Sequence, residues 1–437
     1  MAREINSVAV IGGGTMGGGI AGLCAERDKK VLLLDVSVEA AEKALQRMTS
    51  GRPPAIDTPE KAANVTIGSI DADLEKIKDY DWICEAVVED LATKRKLFER
   101  LEPLRREGSV VSTNTSGIPL RDITEDMPAR LRRDLAVTHY FNTVKVMRLL
   151  ELVTGADTTP DVIQALGGFC RDVLGKGVVN AKDTVNFIGN RIGCYWMLRG
   201  LYMAHEALDA GLTMEEIDAQ LSAPIGLPPT GLYGLIDLIG LDVMDLVGKN
   251  LAINLPAGDL GADFTALPAA EHAMLERGQI GRKAGGGFYR MQKLDDGSRK
   301  TEVFDMGTGA WRDQRPAMPD AKHAGPEAMF EDDATGHLAW NVMGGTLLYA
   351  AGLVPQIADD IVNIDRAMRW GYAWGKGPFE MLDTVGPGRV IAKIEAGGHH
   401  PPAMLEVLRK SGAETFYRNG GKEYLGLDGS YHATPPE

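Results

Sequence analysis

Gly12-Gly13-Gly14-Thr15-Met16-Gly17 fits G-x-G-x-x-G, and an acid, Asp35, follows 18 residues after Gly17. Residues of these types at this spacing can hold a dinucleotide. Gly12 permits a tight turn, Gly14 lets backbone approach a pyrophosphate, and Gly17 allows close packing of a helix on a strand. A helix N-terminus then offers free N–H groups and a positive dipole end to the phosphates. Asp35 can accept hydrogen bonds from the adenosine ribose and would repel a 2′-phosphate, which favours NAD over NADP. Gly12, Gly14, Thr15, Met16, Gly17 and Asp35 are therefore candidate cofactor-binding residues.

These residues need a strand before the loop, a helix after it and a second strand ending at the acid. The sequence supplies Ile5–Ile11, a helical stretch Gly18–Arg27, and Lys30–Asp35. Further strand-like runs are 64–67, 82–88, 110–113, 135–139 and 149–154, with helical patterns at 91–106 and 119–125. This alternation predicts a mainly parallel sheet covered on both faces. Ligands in such sheets bind at the carboxyl ends of strands. Four places are thereby selected: Glu89–Lys94, Asn114–Gly117, His139–Asn142 and Glu151.

Those places spell EAVVEDLATK (85–94), NTSG (114–117), THYFN (138–142) and LLELV (149–153), followed by FIGNR (187–191) and GRKAGGGFY (281–289). In these ordered motifs the chain resembles the 3-hydroxyacyl-CoA dehydrogenases of fatty acid β-oxidation, over about residues 5–290 and more loosely beyond. The resemblance implies an α/β Rossmann-type NAD-binding domain followed by all-α C-terminal domains. It implies His139 as general base, Glu151 as its carboxylate partner, and Ser116 and Asn142 near the reacting oxygen and the nicotinamide. It implies that Asn190 closes over the substrate and that Glu89 and Lys94 lie along the cofactor. No metal is expected.

General chemistry agrees with those roles. Oxidising a secondary alcohol removes hydride from carbon and a proton from oxygen. NAD takes the hydride, and a histidine can take the proton. A carboxylate on its other nitrogen fixes the tautomer and stabilises the imidazolium. Three departures from the family pattern stand out. Thr143 replaces the usual proline, 183–187 reads DTVNF rather than DTPGF, and 229–233 reads PTGLY rather than a form of MGPF. They flank the acyl pocket and the hinge, so they bear on chain length and loop rigidity. Small 3-hydroxy acid dehydrogenases use a lysine base, and residues 187–196 contain none. A non-catalytic NAD-binding relative would have lost His139 or Glu151.

Beyond Asn186 the pattern is helical and repeats. Gly231, Asp237 and Gly240 answer Gly377, Asp383 and Gly386, and Glu216-Ile217-Asp218 answers Asn363-Ile364-Asp365. A duplicated helical module follows. The expected domains are 1–185 for NAD, 186–290 for the first helical copy, 291–334 for an insertion with an Asp296-Gly297 hairpin and a linker, and 335–437 for the second copy. A second copy in the same chain would cover the face that single-module relatives bury by pairing, so a monomer with one active site is expected. The chain reads either as a stand-alone dehydrogenase or as the dehydrogenase part of a hydratase/dehydrogenase chain.

Composition sets outer limits. The 437 residues carry 47 basic and 61 acidic groups, a formal net charge of −14, which argues against nucleic-acid or anionic-membrane binding. No apolar run approaches the roughly 20 residues of a membrane span. Four cysteines without a C-x-x-C pair suggest a reducing, cytoplasmic setting.

Overall fold

The computed structural model describes residues 3–437, which divide into two compact units. The first runs to Ile188 and includes residues 356–359 and Glu437; the second holds the remainder.

The first unit is built on eight strands: β1 Ser7–Ile11, β2 Lys30–Asp35, β3 Val65–Ser69, β4 Trp82–Glu85, β5 Val110–Thr113, β6 Leu135–Tyr140, β7 Leu149–Thr154 and β8 Gly177–Ala181. Their order in the sheet is β3-β2-β1-β4-β5-β6-β7-β8. β1, β4, β5 and β6 are buried throughout, as β-branched runs covered on both faces must be. One side of the sheet packs Val8, Val10, Val31, Leu33 and Trp82 against Ile20 and Leu23 of the helix Thr15–Glu26.

Three local outcomes differ from the sequence reading. The fourth strand stops at Glu85 rather than residue 88, because the Glu85 carboxylate folds back to accept the Val87 N–H. The helix at Leu91 ends at Leu101, just before Pro103, which has no N–H to continue it. The sheet reverses once: β6 and β7 pair antiparallel, with β8 parallel to β7. Glu151 is therefore mid-strand, and not at a carboxyl end as the parallel rule supposed.

In the second unit the helix Gly189–Asp209 is followed by Met214–Gln220, which Thr213 and Glu216 close with a reciprocal capping box. Helices Gly231–Ile239, Leu241–Asn254 and Ala269–Glu276 come next, then an antiparallel sheet of β9 Tyr289–Lys293, β10 Arg299–Asp305 and β11 Ala310–Asp313. The second copy repeats the plan. Ala334–Gly352 forms a helical stretch with one wide turn, followed by Ile361–Gly371, Pro378–Val385, Pro387–Ala396 and Ala403–Ser411. It too ends in a three-stranded sheet, β12 Tyr417–Arg418, β13 Glu423–Leu425 and β14 Tyr431–Ala433.

The repeated acids explain the repeat. Asp218 accepts the N–H groups of Tyr233 and Gly234, as Asp365 accepts those of Phe379 and Glu380. Asp237 accepts the N–H groups of Phe288 and Tyr289, as Asp383 accepts those of Phe416 and Tyr417. In each copy one carboxylate holds a helix start and a second holds a sheet start. In each copy a three-stranded sheet follows the helices, 289–313 after the first and 417–433 after the second. The copies also form one unit: the Gly375 N–H donates to the Gly226 carbonyl at 2.8 Å, and the rings of Tyr195 and Tyr349 stack 4.0 Å apart. No helix among the described residues is long and apolar enough to cross a membrane.

Candidate active site

The glycine loop joins β1 to the helix Thr15–Glu26, so Thr15 and Met16 lie in that helix's first turn. Gly12 has φ +105°, and a Cβ there would meet the Ala86 carbonyl oxygen at 2.5 Å. A Cβ on Gly17 would lie 1.9 Å from the Gly12 oxygen, so helix and turn touch through bare backbone. Gly14 faces open space instead. It begins a helix with no side-chain cap and no acid in its first turn, leaving its N–H groups and dipole for an anion. Asp35 Oδ2 accepts the Gly13 N–H at 3.0 Å, and an Arg47 nitrogen donates to the Gly13 carbonyl at 2.7 Å. A cavity of 530 Å³ opens here, lined by Gly12, Gly13, Gly14, Asp35, Val87 and Leu97 among others. Its volume is ample for part of a nucleotide.

Side chains bolt the ends of β4, β5 and β6 together. Buried Glu85 accepts from Thr113 Oγ1 at 2.5 Å and from Lys94 Nζ at 2.8 Å. Lys94 also lies 3.3 Å from Glu89, whose Oε1 accepts from Thr115 Oγ1, Ser116 N and Gly117 N. Burial alone would raise the Glu89 carboxyl, but Lys94 and these donors hold it below its ordinary range. Asn114 Oδ1 accepts the Tyr140 N–H at 3.0 Å. Lys94 is 1% exposed, with its ammonium held between Glu85 and Glu89 beneath the Ser116 loop. Neither Glu85 nor Asn114 was singled out from sequence, although both lie inside the quoted motifs.

His139 and Glu151 are direct cross-strand partners on β6 and β7, which explains their spacing of twelve. Nδ1 and Oε2 lie 2.6 Å apart, with His139 4% exposed and Glu151 fully buried. The other Glu151 oxygen accepts the Ile188 N–H at 3.0 Å. Two successive left-handed residues, Asn186 (φ +58°) and Phe187 (φ +50°), aim that N–H. Asparagine tolerates this region; phenylalanine does so only under tertiary constraint. The constraint is visible: Phe187 is fully buried with its ring 5.6 Å from the imidazole, and the Phe141 ring, just past the end of β6, lies 4.6 Å from the same imidazole. A carboxylate on Nδ1 keeps that nitrogen protonated and leaves the Nε2 lone pair for chemistry. Asn142 is exposed in the loop after β6, where buried Lys176 donates to the Val144 and Met147 carbonyls. Burial pushes the Lys176 ammonium down to about 8.

Asn190 belongs to the second unit, in the first turn of the helix Gly189–Asp209. Its Oδ1 accepts from the Tyr372 hydroxyl at 2.8 Å. Tyr372 lies 182 residues away in the second copy, and no local signal marks it.

A family model described as 3-hydroxyacyl-CoA dehydrogenase, NAD binding domain, matches residues 7–184, and one described as the C-terminal domain of the same enzymes matches residues 187–291. The chain belongs to the 3-hydroxyacyl-CoA dehydrogenase family. "Probable 3-hydroxyacyl-CoA dehydrogenase" of Bacillus subtilis is 35% identical over 461 residues, covering 99% of this chain and 58% of that protein. A protein of the same name from Deinococcus radiodurans is 32% identical, covering 66% of this chain and 84% of its own. The crystal structure of 3-hydroxybutyryl-CoA dehydrogenase from Escherichia coli superposes with a TM-score of 0.71 over 94% of this chain and 99% of that one, at 24% identity, a likeness of fold. The chain spans little more than half the length of the longer curated relatives it matches. Its first unit is the family's NAD-binding domain, and the open cradle at Gly14 beside Asp35 fits that cofactor.

Proposed function

We propose that the chain oxidises (3S)-3-hydroxyacyl-CoA thioesters to 3-oxoacyl-CoA in fatty acid β-oxidation, with His139 as general base. The observation that carries this reading is the buried cross-strand pair of His139 and Glu151, with the second carboxylate oxygen tied to the Ile188 N–H. Gly12, Gly14, Thr15, Met16 and Gly17 would hold the NAD pyrophosphate and Asp35 its ribose. NAD, when bound, supplies the acceptor for the hydride lost from carbon. Nε2 of His139 takes the hydroxyl proton, and Glu151 steadies the resulting imidazolium. Ser116 donates to the same oxygen. Asn142 and Asn190 orient the thioester end.

The same reading covers the dehydrogenase portion of a longer hydratase/dehydrogenase chain. A cytoplasmic monomer belongs to it as well, supported by four buried free cysteines and by the second copy packed on the first. The test is NADH production from 3-hydroxyacyl-CoA esters of increasing length. Turnover of free 3-hydroxy acids in preference to every CoA ester would overturn the reading.

A further inference from the structure

The second helical copy has no glycine loop of its own, yet one of its side chains reaches the first copy's Asn190. Tyr372 follows the helix Ile361–Gly371, and Ala373 after it adopts φ +53°. Trp374 is buried against Trp196 with ring centroids 6.2 Å apart, and the Gly375 N–H is bonded to Gly226. These contacts fix the loop on the helix that carries Asn190. The helix in turn is bare where the phenol lies: a Cβ on Gly193 would come within 2.2 Å of the Tyr372 ring. The equivalent loop of the first copy lies 147 residues earlier, the spacing that separates Asp218 from Asp365. It has a left-handed residue at the matching place, Gly226 (φ +80°), but Ile225 where the second copy has tyrosine. The hydroxyl is thus a property of one copy alone.

An asparagine amide has an acceptor end and a donor end of nearly the same shape, so its sense is set by its partners. Resting on the proposed role of Asn190, we propose that Tyr372 is a positioning residue: its hydroxyl engages Oδ1 of Asn190 and so commits the Nδ2 hydrogens to donation toward the substrate thioester. The second copy then sets the amide of Asn190 as well as covering the first copy. Without the hydroxyl the amide can turn end for end and present an acceptor to an acceptor.

The test is a double-mutant cycle on the full chain, with acetoacetyl-CoA and NADH as substrates and NADH affinity measured separately. Tyr372→Phe keeps the ring and should lower kcat/KM by about 3–10-fold, the worth of one hydrogen bond, with NADH affinity unchanged. In an Asn190→Ala background the same change should cost less than about twofold, because the group it positions is gone. Asn190→Asp keeps an acceptor for Tyr372 but loses the donor, and should fall as far as Asn190→Ala. This variant decides the matter if Tyr372→Phe does not fold. Normal kcat/KM in Tyr372→Phe, equal losses with and without Asn190, or full activity in Asn190→Asp would each overturn the proposal. Full activity in Asn190→Ala would instead remove the role of Asn190 on which it rests.

Discussion

Glu151→Gln changes one atom and should disable the base. Oε1 of Glu151 accepts the Ile188 N–H, and Oε2 meets His139 Nδ1 at 2.6 Å. Both groups donate, and a carboxylate satisfies both. A glutamine has one acceptor and one donor end. If its oxygen serves Ile188, its NH2 faces Nδ1, the imidazole proton moves to Nε2, and the lone pair needed for the substrate proton is lost. If it turns over, the histidine keeps its tautomer but a buried N–H faces an NH2, costing about 1–3 kcal/mol for the unmet group. In either case the imidazolium loses a buried counter-charge, and a charge-assisted hydrogen bond is worth about 1.5–3 kcal/mol. The terms together come to roughly 3–6 kcal/mol, or about 10²–10⁴ in kcat. The assay is initial-rate oxidation of 3-hydroxybutyryl-CoA with NAD, followed by NADH absorbance, with NADH binding measured alongside. The nucleotide should bind normally, since the glycine loop is untouched. A Glu151→Gln enzyme within tenfold of the parent would refute the pairing of this carboxylate with the catalytic base.

Four further outcomes follow from the geometry. Gly17→Ala should weaken NADH binding at least tenfold in a fluorescence titration, because its Cβ meets backbone at 1.9 Å, whereas Gly18→Ala, 3.6 Å from its nearest neighbour, should be neutral. Asp35→Ala should narrow the NAD-over-NADP preference by about tenfold, roughly 1.4 kcal/mol, and equal use of both cofactors by the parent protein would remove the basis for this. Burial pushes the Asp218 carboxyl up to about 7 and those of Asp237 and Asp383 up to about 6. Each keeps its proton in the folded state at a pH where the unfolded chain has released it, so their contribution to stability is full below about pH 4 and is lost as pH rises through 6 to 7. For Asp237 alone the loss is about 3 kcal/mol, so thermal melts should show a lower Tm at about pH 8 than at pH 5, and Asp237→Asn should flatten that difference; equal melts would contradict it. Deleting residues 335–437 should convert a monomer into dimers or aggregates in light scattering, and a well-behaved monomeric truncation would count against the covering role of the second copy.

The first unit was legible because its strands are apolar, β-branched and bounded by glycine or acid. The glycine loop and Asp35 carry their geometry in their residue types. His139 was accessible because it ends a buried strand, and Glu151 because a charge amid Leu149-Leu150 and Leu152-Val153 must have a partner. Strand direction was not legible: β7 has the same composition as its parallel neighbours, and only the chain's return after residue 141 reverses it. The sheet at 289–313 was half hidden because β9 and β11 are short and largely exposed, so their alternation is weak. Ile188 and Tyr372 act through a backbone N–H and a contact 182 residues distant, neither of which leaves a local pattern. The acids of the repeat announced a duplication, but their hydrogen bonds to the sheet starts, which mark where each module ends, are visible only in three dimensions.

That closing sheet changes where the chain can be cut. Arg312 on β11 makes two bonds to Glu215, at 2.6 and 2.7 Å, and the Arg315 N–H adds a third, so the last strand is laced back to the helix Met214–Gln220 near the module's beginning. A fragment ending at residue 290, where the helical pattern stops, would keep the Asp237 anchor at Phe288 and Tyr289 but cut β9 after its second residue and lose β10 and β11. It would leave Glu215 without its arginine and offer a loose, unpaired edge to any passing strand. A fragment carried through residue 315 keeps both fastenings, some 25 residues beyond the point where the helical pattern stops.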